Sequence, residues 1–196
     1  GGVVYRAYHK RLQKEVVLKQ IKSKGLSMAD KRQEVDILKN LNHMYLPQVL
    51  DFLIYDDEVY TVMSYIPGKS FRQLMKEHAS FSLAQLIRWG MQICSALNYL
   101  HSQNPPVIHG DIKPSNIMLT PQGNICLIDF NISFYLDENA ILGYTDGYTS
   151  PEQYIIALDS ASDRPIGGYS KIDEKADIYS VGATFYHLAT GRKLEN

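Results

Sequence analysis

Cysteine is scarce in this chain. Two occur among 196 residues, Cys94 and Cys126, and neither has the partners or spacing of a disulfide framework or a zinc site. Read as small reduced hydrophobes, they suit a reducing, cytosolic compartment. Long apolar runs are also missing, which excludes a signal peptide and a membrane-spanning helix within the sequence. Charge of one sign is not in excess: 20 Lys and Arg face 21 Asp and Glu, a net charge of −1, so no electrostatic footprint for nucleic acid or a membrane surface exists. The 14 tyrosines are scattered and form no RNA-binding signature, and no internal repeat occurs. An ordinary globular composition remains, 45% apolar and 21% charged, enough for one large domain or two small lobes. The chain opens at Gly1-Gly2 rather than Met, which leaves an upstream segment, a membrane tether included, open.

The first third reads as strands around one helix. Val3 to Ala7 and Glu15 to Ile21 are β-rich, with the polar stretch His9 to Lys14 between them. Ser27 caps a helix with Asp30 three residues on, and Val35, Leu38 and Leu41 line one face until Pro47 ends it. Val49 to Tyr55 and Glu58 to Met63 form a hairpin across Asp56-Asp57. Ile66-Pro67-Gly68-Lys69 is a turn and the boundary between two lobes. Beyond it the chain is mainly helical. Phe71 to His78 is short. Ser82 with Gln85 opens a long helix to His101, its stripe made of Leu83, Leu86, Ile87, Gly90, Cys94 and Leu97. Ile132 to about Tyr154 shows no period, and Asp159 to Tyr169 is a polar, glycine-rich insert expected as a solvated loop. Ala176 to Ala189, apolar nearly all round, predicts a helix at the centre of its lobe, capped by Gly191.

The stretch with the most chemistry is His109-Gly110-Asp111-Ile112-Lys113-Pro114-Ser115-Asn116. Apolar residues lead in (Val107-Ile108) and out (Ile117 to Leu119), so it reads as strand, rigid loop, strand. A second acid, Asp129, ends the apolar run Ile125 to Ile128. Two carboxylates and an amide at the ends of neighbouring strands can hold a divalent cation and orient a hydroxyl, which is the chemistry of phosphoryl transfer.

These residues resemble the eukaryotic-type (Hanks-type) serine/threonine protein kinase family over nearly the whole chain. His109 to Asn116 resembles its catalytic loop, Asp129-Phe130-Asn131 its Asp-Phe-Gly, Ser150-Pro151-Glu152 its Ala-Pro-Glu, and Val16-Val17-Leu18-Lys19 its Val-Ala-Ile-Lys strand. The resemblance implies an α+β, two-lobed fold: an antiparallel-sheet lobe with one helix over residues 1–66, and a mainly helical lobe over 67–196. It implies ATP and Mg2+ as cofactors and a protein substrate with a Ser or Thr acceptor. Asp111 then takes the hydroxyl proton, Lys113 neutralises the transferred phosphoryl group, and Asn116 and Asp129 hold the metal. Lys19 holds the α- and β-phosphates and pairs with a helix glutamate, Glu34, with Asp36 as the rival and a solvated helix charge as the plain alternative. Thr145 stands against Asp111 and Lys113. Gly2 fits the third glycine of the glycine-rich loop. Val4, Val17 and Met118 sandwich the adenine, Met63 is the gatekeeper, and the Ser64 carbonyl and Ile66 amide meet the adenine edge. Leu38, Leu50, His109 and Phe130 form a packed column, which makes His109 structural, and Asp177 holds the catalytic-loop backbone.

The departures from the family pattern carry their own expectations. The first strand, the first two loop glycines and the helices after Gly191 are absent, so the sequence reads as a kinase domain trimmed at both ends. Glu152 therefore lacks its usual arginine, and the chain by itself is expected to be marginal. Gly110 replaces the arginine that receives an activation-loop phosphate, so activity is expected without phosphorylation of Ser133 or Tyr135. Asn131 replaces a glycine and Val17 an alanine; both bear on activity more than on fold. His-Gly-Asp and Ser-Pro-Glu-Gln resemble bacterial members. Two other readings stay open: a pseudokinase or nucleotide-binding scaffold, and a small-molecule phosphotransferase, which also uses His-Gly-Asp. Substrate, activating signal and oligomeric state are not written in the sequence.

Overall fold

The computed structural model describes residues 3–20, 38–56, 58–104, 106–129, 144–160 and 172–194. Strands β1 (Val4–His9), β2 (Lys14–Gln20), β3 (Val49–Tyr55) and β4 (Glu58–Ser64) form one antiparallel sheet in the order β1-β2-β4-β3. Both tight turns use left-handed residues, Gln13 at φ 49° and Asp56 at φ 52°. The register sets Val4 opposite Lys19, and Val17 opposite both Arg6 and Met63. Partners across an antiparallel ladder share a face, so Val4, Val17, Lys19, Thr61 and Met63 project to one side. Of the helix expected from Ser27, only residues 38–40 are described, as helix; Glu34 and Asp36 lie outside the described residues.

A second sheet joins β5 (Lys69–Ser70), β6 (Ile117–Leu119) and β7 (Ile125–Leu127). Gly68 makes this junction possible. Its φ is 121°, and a Cβ there would lie 2.0 Å from the Leu119 carbonyl oxygen, so no other residue fits without moving backbone. The turn expected at Ile66 to Lys69 thus ends in a short strand. Ser70 then caps α1 (Phe71–Lys76), with Gln73 returning the capping-box bond to the Ser70 amide at 2.8 Å.

Helix α2 (Leu83–His101) opens with the expected box: Ser82 Oγ accepts from the Gln85 amide, and Gln85 Oε1 accepts from the Ser82 amide at 2.9 Å. Its buried stripe differs from the expected one. Leu86, Trp89, Ile93, Ala96, Leu97 and Leu100 face inward, whereas Leu83, Ile87 and Cys94 are exposed. Trp89 decides the register. Its ring packs against Phe71 (4.9 Å between centroids) and Phe81 (5.5 Å), and its indole N–H donates to the Gly123 carbonyl.

Helix α3 (Pro151–Ser160) occupies part of the stretch that shows no period in sequence, and its last two residues are Asp159 and Ser160; residues 161–171 of the insert lie outside the described residues. Helix α4 (Lys175–Thr190) ends on left-handed Gly191, as expected. It is not buried all round. Ala176, Asp177, Ser180, Ala183, Thr184 and Leu188 are buried, while Ile178, Tyr179 and Tyr186 are exposed. Small and polar side chains, not the large apolar ones, let α4 approach the chain at 107–112 closely. One core runs from Leu38, Leu41 and Val49 through Phe71 and α2 to Ile112, Ile117 and Leu127. This is the α+β, two-lobed architecture that the resemblance implies.

Candidate active site

Residues 106–112 are not a strand. The Val107 amide donates to the Leu100 carbonyl at the end of α2, and Gly110 turns left-handed at φ 70°, so no ladder can form. The first of the two expected strands is therefore a strap, while the expected loop leads into strand β6 at Ile117–Leu119. The backbone of the strap is held by side chains. Asp177, fully buried near the start of α4, accepts from the His109 amide (Oδ2, 2.8 Å) and the Gly110 amide (Oδ1, 2.8 Å), and His101 Nε2 contacts Oδ2 at 2.8 Å. A buried carboxylate is costly without partners; here hydrogen bonds to three groups satisfy it.

His109 is equally buried and acts as a bracket. Its Nε2–H donates to the Ile128 carbonyl (3.1 Å), and its Nδ1 accepts from the Asp111 amide (3.3 Å). Together they require the neutral ring with its proton on Nε2, because an imidazolium has no acceptor at Nδ1. Burial holds the imidazole below its ordinary pKa of 6.5, against the opposing pull of Asp177 and Asp111. The structural role expected for His109 is what the geometry describes. Leu38 is buried and Leu50 half-buried; Phe130 lies outside the described residues.

The bracket aims Asp111 into a polar cluster. Asp111 Oδ2 is 2.8 Å from Lys113 Nζ and accepts from Asn116 Nδ2 at 2.9 Å. Asp111 Oδ1 accepts from the Thr145 hydroxyl at 3.0 Å, and the same hydroxyl accepts from Lys113 Nζ at 3.0 Å. With 21% of its side chain exposed, Asp111 remains open to an incoming hydroxyl. Thr145 is set by its own turn, in which its amide donates to Thr149 Oγ1 and its carbonyl accepts from the Thr149 hydroxyl.

Asn116 also donates to the Asp111 carbonyl, and among the described residues its Oδ1 accepts only from the Ser115 hydroxyl, a rotatable group. Asp129 follows directly on Ile128, whose amide donates to the Asn116 carbonyl at 2.8 Å. Asp129 is left-handed at φ 68°, a conformation that Asp tolerates better than most side chains. Its Oδ1 is ion-paired with Lys19 Nζ. Among the described residues no group of three His, Cys, Asp or Glu side chains is placed to hold a metal by itself. The amide oxygen of Asn116 and the carboxylate of Asp129 fit a hard cation that takes its remaining ligands from phosphate and water, as magnesium does.

Of the residues expected around the adenine, Val4, Val17 and Met63 form one wall, and Met118 stands on the second sheet. Val4, Val17 and Met63 share the Lys19 face, Ser64 ends β4, and Met118 lies on β6 between Ser70 and Cys126. The Ile66 amide makes no backbone hydrogen bond among the described residues, which leaves a donor at the edge of the wall. Gly2, Glu34, Asn131, Ser133 and Tyr135 lie outside the described residues. Sequence reasoning missed three positioning groups: His101, Gln153, and Thr184, whose hydroxyl donates to the Ile112 carbonyl. Thr184 was findable, because Asp177, Ser180 and Thr184 make a polar stripe at helical spacing on an otherwise apolar segment.

Comparison with known families matches residues 1–196 to the protein kinase domain. Among curated proteins, the chain is 30% identical to a probable serine/threonine-protein kinase of Clostridium perfringens, over 97% of this chain and 27% of that protein. It is 32% identical to serine/threonine-protein kinase tousled-like 2 of Mus musculus, over 82% of this chain and 23% of that protein. It is 31% identical to serine/threonine-protein kinase 10 of Danio rerio, over 96% of this chain and 19% of that protein. The chain thus spans about a quarter or less of the length of these relatives. With the Asp111 cluster, the Lys19–Asp129 pair and the two-lobed fold in one chain, it belongs to the protein kinase domain family.

Proposed function

We propose that the protein carrying this chain is a serine/threonine protein kinase that transfers the γ-phosphoryl group of ATP to Ser or Thr hydroxyls of protein substrates. A small lobe of residues 1–66 and a larger lobe of 67–196 divide the work at Pro67. The acceptor oxygen forms a bond to the γ-phosphorus, the bond from that phosphorus to the β–γ bridging oxygen breaks, ADP leaves, and the hydroxyl proton goes to Asp111. Lys113 neutralises the equatorial oxygens in transit. Lys19, oriented by Glu34, holds the α- and β-phosphates. Val4, Val17, Met63 and Met118 enclose the adenine, and Ser64 and Ile66 offer it backbone groups. Asn116 and Asp129 would hold Mg2+, which when bound neutralises charge on the ATP phosphates. Two free cysteines, Cys94 exposed, support a reducing, cytosolic setting.

One observation carries this reading. A hydroxyl of the protein itself, on Thr145, already donates to Asp111 Oδ1 at 3.0 Å, while Lys113 Nζ donates to that hydroxyl and lies 2.8 Å from Asp111 Oδ2. The carboxylate is therefore placed to receive a hydroxyl proton beside a cation. Serine/threonine choice rests on Lys113-Pro114 and on the names of the relatives. The test is transfer from radiolabelled ATP with magnesium to a Ser/Thr-rich protein, beside Asp111→Asn. The unsubstituted protein is expected to label serine or threonine, and the variant to lose about 10²–10⁴-fold in kcat, the usual worth of a positioned base. ATP binding without transfer would make the protein a scaffold. Transfer to small alcohols or sugars alone would make it a small-molecule phosphotransferase.

A further inference from the structure

Gln153 is almost fully buried, 1% exposed, in the first turn of α3. Its Nε2 donates to the Gly110 carbonyl at 2.9 Å, and its Oε1 is buried with no hydrogen-bond partner among the described residues. The orientation of the amide is forced. A carbonyl can only accept, so the side chain must turn its NH2 to Gly110 and leave Oε1 orphaned. An unpaired amide oxygen inside a protein is destabilising, and an apolar side chain of the same length would avoid it. Glutamine thus satisfies the Gly110 carbonyl while leaving its own Oε1 unpaired among the described residues, and its use here lies in what that bond holds.

What the bond does supply follows from Gly110. Glycine is the residue freest to rotate, and its left-handed φ of 70° is one of several conformations open to it. The peptide unit between Gly110 and Asp111 is gripped at both ends: Gln153 takes its carbonyl, and His109 Nδ1 takes its N–H. If the carbonyl were released, that peptide could rotate about the Gly110 backbone and swing Asp111 with it. Gln153 also sits on the segment whose Thr145 touches Asp111 and Lys113. The segment therefore holds the loop at two points, the Asp111 carboxylate and the Gly110 carbonyl.

We propose that Gln153 is a positioning residue that locks the Gly110–Asp111 peptide, and so fixes the Asp111 carboxylate, by hydrogen bonding from α3. The proposal rests on the kinase reading for its kinetic consequence but not for its geometry. Two variants test it in the whole protein: Gln153→Met, which keeps length and removes the donor, and Gln153→Glu, which sets an acceptor against the Gly110 carbonyl. Both are expected to lower kcat for the protein substrate by about tenfold or more, with the KM for ATP within roughly twofold, because only interactions at the reacting end change. Gln153→Met is expected to lower its thermal midpoint by only a few degrees, since the orphan it removes at Oε1 offsets part of the cost of leaving the Gly110 carbonyl without its donor. Unchanged kcat would overturn the proposal. So would parallel losses in kcat, ATP affinity and midpoint, which indicate general loosening. Hydrogen exchange of the Asp111 amide reads the lock without turnover and separates its failure from failure of the kinase reading. Exchange about tenfold faster in Gln153→Met is expected, and equal rates in the two proteins would sink the idea.

Discussion

Thr145 does two things with one oxygen. Its hydroxyl donates to Asp111 Oδ1 and accepts from Lys113 Nζ, both at 3.0 Å, so it spaces a carboxylate from an ammonium that already meet at Oδ2. Without it, Lys113 would be free to settle symmetrically on Asp111 and mask the carboxylate proposed as the base. Hydrogen bonds to charged groups are worth roughly 1.5–3 kcal/mol, which corresponds to about a 10- to 100-fold change in rate if the interaction is kept in the transition state. Thr145→Val, of nearly the same shape, should therefore lose kcat in that range, and Thr145→Ser, which keeps the oxygen, far less. Steady-state rates for the three proteins at saturating ATP decide it. Equal losses in Val and Ser variants would show that shape, not the hydroxyl, is what position 145 provides.

Elements differ in how openly the sequence announces them. Helix α2 is the clearest, because Ser82 and Gln85 form both bonds of a capping box ahead of a long periodic segment. Ser82→Ala removes an acceptor for the Gln85 amide and should cost about 1 kcal/mol, or roughly 2–4 °C in thermal midpoint for a chain of this size. Calorimetry of the single variant checks this, and a shift below half a degree would mean that packing alone sets the start of α2. The boundaries of α2 were legible, but not its face. Leu83 and Ile87 fit the period as well as Leu86 does, and only the aromatic contacts of Trp89 with Phe71 and Phe81 choose between them. The strap at 107–112 was misread for a related reason. Val107 and Ile108 have strand propensity, yet the Val107 amide bonds to the end of α2, and the His109 and Gly110 amides that follow bond to Asp177 of α4 rather than to another strand. Asp111, Lys113, Asn116 and Thr145, which the structure brings together, were legible because the chemistry proposed for them calls for those side chains at short range. Gln153 and His101 were not, since their partners, Gly110 and Asp177, are distant in sequence and no periodicity encodes them.

At the scale of the whole molecule, buried imidazoles tie stability to pH. Burial holds His43, His109 and His187 below the ordinary value of 6.5, with Lys193 adding to the effect at His187. In the unfolded chain the same rings take up a proton near pH 6.5. The unfolded state therefore binds more protons than the native state over the interval below 6.5, and stability falls as pH falls through it. Above that pH both states hold the rings neutral, and this contribution is level. Each ring adds a slope of at most about 1.4 kcal/mol per pH unit within its own interval. Asp173 works in a separate and more acidic window. Hydrogen bonds from Lys175, first from its backbone, hold it below 3.8, so its small contribution is lost only under stronger acid. Urea unfolding followed from pH 8 to pH 5 should thus show a midpoint that is flat at first and then declines from about pH 6.5. His109 links this decline to the site. A second proton on its ring would break the bond that its Nδ1 accepts from the Asp111 amide, so the native state resists protonation there for the same reason that it holds the loop in place. Replacing His109 with Asn should lower stability at pH 8 and flatten the decline below 6.5. A His109→Asn protein that keeps the full wild-type slope would assign the acid sensitivity to groups other than this ring.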